Sequence, residues 1–201
     1  MGTIVIDDKL LECSKKLKEE LNNKRYLHSI AVMDTAACLS MVYGADIYSA
    51  RLAGLLHDCA KSLSKDQLIK KAGKYKLDLS ETERANPELL HAKVGKYIAR
   101  DEYNINNKEV LDAIYYHTTG KPDMGLLEKI IFVADYIEPN RSASIPEIDK
   151  IRAEAFRNID KCIALICENT LGYLKGSEAK IDKITYDTCE FYKIKEKTHC
   201  L

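Results

Sequence analysis

No apolar stretch in this 201-residue chain approaches the ~20 residues that a membrane-spanning helix needs. Even the stretch Ile130 to Ala134 is far too short. Met1 to Lys9 lacks the basic segment and apolar run of a secretory signal, so export is not expected. Net charge is absent too: 31 basic side chains face 31 acidic ones. That balance argues against broad attraction to nucleic acid or an anionic membrane. A small anionic ligand needs only a local basic cluster and stays open. Seven cysteines form no Cys-x-x-Cys pair, which argues against a disulfide framework or a zinc ribbon. They read as reduced, mostly buried thiols of a cytoplasmic protein. There is no internal repeat, no low-complexity segment and no Gly-rich phosphate loop. The chain length suits one domain, and the 46% hydrophobic fraction an ordinary core.

Convincing strands are missing as well; only Thr3 to Ile6 and Lys180 to Thr185 hint at one. What is present is helix after helix, so the expected class is all-α. Leu10, Leu11, Leu17 and Leu21 give one face to a helix over Asp8 to Asn22, with Asp7 or Asp8 as N-cap. A second helix runs from Lys24 to Tyr43 and stops at Gly44, a good C′ residue. A third covers Ile47 to Leu56. Ser64 caps Lys65 to Ala72. Tyr75 to Pro87 is polar and turn-like, a mobile surface loop by this reading. Pro87 opens a helix reaching Glu102, and Asn107 caps Lys108 to Tyr116. Leu126 to Ile137 is the most apolar helix. Arg141 to Pro146 reads as a loop, Glu147 to Lys175 as one long helix, and the tail as irregular.

Five histidines are present, and four sit at or near expected helix ends beside polar residues. His57 and Asp58 are adjacent and follow the apolar run Leu52 to Leu56. His117 follows Ile114-Tyr115-Tyr116, and Asp135 follows Ile130 to Ala134. A carboxylate after such a run is costly to bury unpaired, and a metal ion compensates it fully. Imidazole with carboxylate suits iron, manganese, zinc or nickel rather than calcium. Asp58, with two oxygens, could bridge two ions ~3.5–4 Å apart. Taken singly each residue has a plainer reading: His91 as a hydrogen-bonded helix residue, Asp135 as a salt-bridge partner. His199, in the polar tail, takes the plain reading. Cys59 beside Asp58 invites a nucleophile hypothesis, but its surroundings read as buried helix.

The order His28, His57-Asp58, Asp135 resembles the signature of the HD-domain phosphohydrolase superfamily. His91 and His117 resemble the additions of its two-metal subset. Closer still, Arg25-Tyr26-x-His28-Ser29, His57-Asp58-x-Ala60-Lys61, Tyr116-His117-Thr118-Thr119-Gly120 and Ala134-Asp135-Tyr136-Ile137-Glu138-Pro139-x-Arg141 are similar to the YqeK family. Those are bacterial symmetrical diadenosine-tetraphosphate hydrolases. The resemblance spans about 8–175 of a single domain 1–201, leaving 185–201 as a tail or appendage. It implies a helical bundle with a metal site in its core, a homodimer, and iron as the metal. His28, His57, Asp58 and Asp135 would hold a first ion. His91 and His117, with Asp58 bridging, would hold a second ion or contact phosphate. The implied substrate is a dinucleoside tetraphosphate and the product ADP, formed by attack of metal-bound hydroxide.

Elementary chemistry runs alongside. Arg25 lies three residues before His28 and Lys61 four after His57, the same face on a continuing helix. Arg suits bidentate phosphate contact and Lys a point charge on a phosphate oxygen. Arg25, Lys61 and Arg141, with His28, His91 and His117, are the expected substrate-binding set. Asp58, Lys61, His91 and His117 are the expected catalytic set. The competing readings are another HD-fold nucleotide phosphohydrolase or phosphodiesterase, a di-iron oxygenase, a non-catalytic nucleotide sensor, and a structural adaptor. The adaptor would leave Asp58 and Asp135 unexplained.

Overall fold

A computed structural model describes residues 8–141, 145–176 and 181–198. Among them the chain forms α1 (Asp8–Glu20), α2 (Asn23–Tyr43), α3 (Ile47–Leu56), α4 (Lys65–Lys74) and α5 (Glu81–Ala85). A 3-10 turn at Pro87–Leu89 leads into α6 (Leu90–Glu102). Then come α7 (Lys108–Tyr116), α8 (Leu126–Ile137), α9 (Ile148–Ala155), α10 (Ile159–Gly176) and α11 (Lys183–Thr198). The described residues hold no strand, as the periodicity demands. No helix among them is long and apolar enough to cross a membrane.

Several ends are where capping chemistry puts them. Ser64 accepts the Gln67 N–H and Gln67 answers the Ser64 N–H, a complete capping box. Asn107 accepts from Glu109 and Val110, and Gly44 closes α2 at φ 73°. Asp8 is the first residue of α1 rather than a clear cap, and Asp7 and Thr3 to Ile6 lie outside the described residues. Leu11 turns outward at 42% exposure while Leu10, Leu17 and Leu21 face the core.

The framework around the site is α2 packed on α3 and α8, with α6 and α7 completing it. Gly54 lets α2 and α3 meet backbone to backbone: a Cβ there would lie 2.9 Å from Met33 Cα. That approach brings the end of α3 close to the first turns of α2. Leu39, Leu55, Leu56, Ile130 and Ile131 are fully buried between these helices. Each contributes roughly 1.5–3 kcal/mol of hydrophobic stabilisation.

Three expectations need correction. Tyr75 to Pro87 is no featureless loop. A Ser80–Glu83 capping box starts α5, Glu83 pairs with Lys93 at 2.8 Å, and Ser80 bonds Asp182 at 2.5 Å. The single helix expected over Glu147 to Lys175 is two. α9 ends at Ala155, and Asn158 restarts the chain by accepting the Lys161 N–H at 3.1 Å. The tail is not irregular either. In α11, Thr188, Cys189 and Tyr192 are buried, and the Tyr192 hydroxyl accepts the Met124 N–H at 3.0 Å. The i, i+4 pair Thr188/Tyr192 supplies the apolar stripe, diluted in the sequence by Lys and Glu. Ile181 and Asp182 lead into this helix, so no strand forms at 181–185; Lys180 lies outside the described residues.

Candidate metal centre

Five helices deliver the predicted residues to one place. His28 stands near the start of α2, His57 caps α3 with Asp58 next, and His91 opens α6. His117 caps α7, and Asp135 lies in the last turn of α8. Helix ends suit this task because their backbone groups lack intrahelical partners. His57 Nδ1 bonds the Gly54 carbonyl at 2.7 Å, His117 Nδ1 that of Ile114 at 2.8 Å, and His91 Nδ1 that of Glu88 at 2.6 Å. In each case the carbonyl lies three residues earlier. A carbonyl only accepts, so all three rings carry their proton on Nδ1 and present an Nε2 lone pair. His28 Nδ1 is held instead by the Glu138 carboxylate at 3.1 Å.

Every one of those Nε2 atoms turns inward. His28 and His57 Nε2 lie 3.2 Å apart, and so do His91 and His117 Nε2. Asp58 Oδ2 lies 3.6 Å from His57 Nε2 and 3.9 Å from His28 Nε2. Its Oδ1 lies 3.4 Å from His91 Nε2 and 3.6 Å from His117 Nε2. Asp135 Oδ1 is 3.0 Å from His28 Nε2 and 3.7 Å from His57 Nε2. Three sets of converging donor atoms result: His28–His57–Asp58, His57–His117–Asp135 and Asp58–His91–His117. Acceptors facing acceptors in a buried site repel unless a cation lies between them. The donor set therefore fits a divalent metal, and its mix of nitrogen and oxygen suits a transition ion.

The electrostatics agree. Burial pushes His57 down to about 4 and His91 down to about 3, so both imidazoles are neutral, the form that binds metal. Burial also lowers His28, but hydrogen bonds to Asp135 and Glu138 outweigh it and raise that ring above its ordinary value. Burial opposes ionisation of Asp58 and Asp135. The histidines around Asp58, and His28, His57 and Arg141 around Asp135, hold both carboxyls well below the usual range.

The three expected cations all reach the centre, though by other contacts than phosphate. Arg25 Nη1 bonds Asp58 Oδ2 at 2.7 Å, and Arg141 Nη2 bonds Asp135 Oδ1 at 2.5 Å. Both arginine side chains remain about a third exposed, 36% and 35%. Lys61 Nζ lies 3.2 Å from both ring nitrogens of His91. It does not arrive on a continuing helix. α3 ends at Leu56, and successive i→i+3 turns at Cys59, Lys61 and Leu63 carry the chain back. Cys59 is buried against the Gly95 carbonyl, and burial pushes its thiol up, which removes the nucleophile hypothesis. Of the six described cysteines, all but Cys38 are buried. His199 and Cys200 lie outside the described residues.

Two residues escaped the sequence reading. Glu138 is buried, holds His28 through one oxygen and accepts the Asn140 N–H with the other at 2.6 Å. The argument applied to Asp135, an acid closing an apolar helix, would have found it. Thr118 Oγ1 lies 3.0 Å from His117 Nε2 and 3.2 Å from His91 Nε2. That threonine lies inside the Tyr116 to Gly120 block, where nothing in its type or spacing sets it apart from Thr119. Around the centre, one groove of about 1370 Å³ runs along α2 past His28 to Arg141. A second, of about 440 Å³, opens between Arg25, Lys61 and His91.

Known proteins match this geometry. The HD domain family model covers residues 25–140. A Bacillus subtilis protein named bis(5'-nucleosyl)-tetraphosphatase, symmetrical, is 39% identical over 86% of this chain and 91% of its own. Proteins of the same name are 43% identical in Halalkalibacterium halodurans, over 79% of this chain and 83% of theirs. In Staphylococcus aureus the figures are 38%, 93% and 96%. A Clostridium acetobutylicum crystal structure, titled a predicted HD superfamily hydrolase involved in NAD metabolism, superposes with a TM-score of 0.88 at 35% identity. It covers 92% of this chain and 96% of its own. With the four signature residues and the two added histidines gathered at one centre and relatives aligned over most of its length, the chain belongs to the HD-domain family, alongside the symmetrical bis(5'-nucleosyl)-tetraphosphatases.

Proposed function

We propose that this chain hydrolyses diadenosine tetraphosphate at the middle of its phosphate bridge: one water is consumed and two ADP are released. The observation that carries the reading is four inward Nε2 lone pairs and two aspartates meeting beside Arg25, Lys61 and Arg141. The names of the relatives supply the substrate.

His28, His57, Asp58 and Asp135 would hold one ion, and His91, His117 and the second Asp58 oxygen another. When bound, a divalent metal supplies an acidified water and neutralises phosphate charge. Iron is the metal we favour, on the family resemblance, from among the transition ions that accept imidazole and carboxylate together. The chain's own residues do the rest. Asp58 orients both halves of the centre, and Lys61 places a positive charge where the attacked phosphate gathers negative charge. Arg25 and Arg141, with guanidinium edges still open, bind the flanking phosphates. The leaving group departs as a phosphate oxyanion that needs no proton, so charge and alignment suffice and no general acid is required.

The test is metal analysis of anaerobically purified protein beside chromatography of the products. We expect bound transition metal, ADP as sole product, loss of turnover on chelation and recovery with ferrous iron. Full turnover by metal-free protein, or equal AMP and ATP, would overturn the reading. The reduced buried thiols and nucleotide substrate accord with a cytoplasmic setting. We also carry a homodimer as part of this proposal, on the exposed Met41, Val42, Ile47 and Tyr48 at the α2–α3 corner. Light scattering that gives a monomer mass at micromolar protein would remove it.

A further inference from the structure

A symmetrical substrate must be held by a single asymmetric chain, and the two larger grooves beside the centre are unlike. The larger follows the outer side of α2 from Arg25 to Cys38, about 20 Å of helix axis. Its walls carry Leu27, Ile30, Ala31, Ile137, Pro139 and Phe156, an apolar platform with Phe156 and Leu27 exposed at 44% and 51%. The smaller groove is a third of that volume and lies between Leu21 and Asn22, which link α1 to α2, and the turns before α4. It is lined by Leu21, Leu63 and Leu68, with Lys61 beside His91 and with Lys65 paired to Glu88 at 3.5 Å. Asn22 and Arg25 line both grooves, so the two meet at the arginine bonded to Asp58.

Charge follows the same plan. Arg25, bonded to Asp58, lines both grooves; Arg141, bonded to Asp135, lines the large one and Lys61 the small one, and each groove adds an apolar wall. A ligand with a polyanionic middle and a flat aromatic base at each end matches that distribution. The bases would lie on apolar walls and the phosphates would span the junction.

Resting on the hydrolase reading above, we propose that the two grooves are unequal nucleoside sites: the large groove along α2 takes one nucleoside of the dinucleotide, tolerant of bulk, and the small Lys61 groove takes the other, intolerant of it. The chain thereby fixes the direction in which a symmetrical molecule lies across the centre. One consequence is chemical. Water adds to one of the two central phosphorus atoms, the P–O bond to the other half breaks, and that half leaves with the bridging oxygen. An oriented substrate has only one of its halves attacked.

The experiment uses the metal-loaded protein and a diadenosine tetraphosphate bearing a bulky fluorophore on one nucleoside only. Hydrolysis is run in heavy-oxygen water, and the two diphosphate products are separated and weighed by mass spectrometry. Label is expected in one product at about tenfold excess or more, within the discrimination a sterically limited pocket gives. A substrate bulky at both ends is expected to turn over at least about tenfold more slowly than the one-sided substrate. Ala31→Trp, which fills the large groove, should depress the one-sided substrate more than the unmodified one. Equal label in both diphosphates, with equal turnover of singly and doubly bulky substrates, would overturn the unequal grooves while leaving symmetrical hydrolysis intact. Release of AMP and ATP would instead overturn the underlying hydrolase reading, and this placement with it.

Discussion

The two halves of the centre share Asp58 but are built from different materials. On one side stand His28, His57, Asp135 and one Asp58 oxygen, with two arginines against the two carboxylates. His28 there leans on a carboxylate, Glu138. On the other side stand His91, His117 and the second Asp58 oxygen, with both Nδ1 protons on neutral carbonyls and Lys61 and Thr118 beside the rings. The second side is closed throughout, with His91 and His117 side chains 4% and 1% exposed, whereas the first joins a sealed His57 to the more open His28 and Asp135, at 11% and 20%. Anionic charge collects on the first side and is nearly absent from the second. A cation gains more from the first, so the first ion should bind tightly. Under the proposed two-ion reading, the second should lean on phosphate oxygens to complete its shell.

That contrast can be broken or sharpened by four substitutions. Asp58→Ala removes the group common to both sides. Elemental analysis should find nearly all metal gone, and turnover should fall well beyond the roughly 100-fold that loss of an outer-shell partner costs. A variant that keeps one ion and measurable turnover would mean Asp58 is not shared. His117→Ala touches only the second side and should leave one ion bound, with nucleotide affinity by calorimetry weakened. If metal content, affinity and turnover all match wild type, the second side is structural and the centre shrinks to four residues.

Lys61→Ala should keep its metal while its rate falls about a hundredfold, the usual loss of one transition-state charge contact. Wild-type kinetics would return Lys61 to the role of a structural partner of His91. Glu138→Gln is the mildest change. The amide keeps the shape but no longer matches the His28 Nδ1–H as a charged acceptor. Metal affinity of the first side should drop about 10–100-fold, with the second side unchanged. Metal titration resolves the two ions. Equal weakening of both would show that Glu138 acts on the fold rather than on His28.

Short-range chemistry was open to reading in the chain. Gly44 with its positive φ, Ser64 with Gln67, and Asn107 before Lys108 mark helix ends through contacts a few residues long. The burial cost of an aspartate after Leu52 to Leu56 or Ile130 to Ala134 is likewise a local matter, so Asp58 and Asp135 could be singled out. The break at Asn158 and the start of α11 also rest on short contacts, but weaker ones. Asn158 restarts the chain with a single side-chain bond, and the stripe of α11 is thinned by Lys and Glu.

What only the tertiary structure decided involves partners far apart in the chain. His28 meets Glu138 across 110 positions, and Lys61 meets His91 across 30. The 2.9 Å clearance at Gly54 sets how near the end of α3 comes to α2. Thr118 reaches two imidazoles because the start of α6 and the end of α7 meet at the same point. Residue type and spacing select which groups can hold a charge. The crossing of buried helices selects which of them share one, because a lone pair becomes a ligand only when others converge on the same point within a few ångströms.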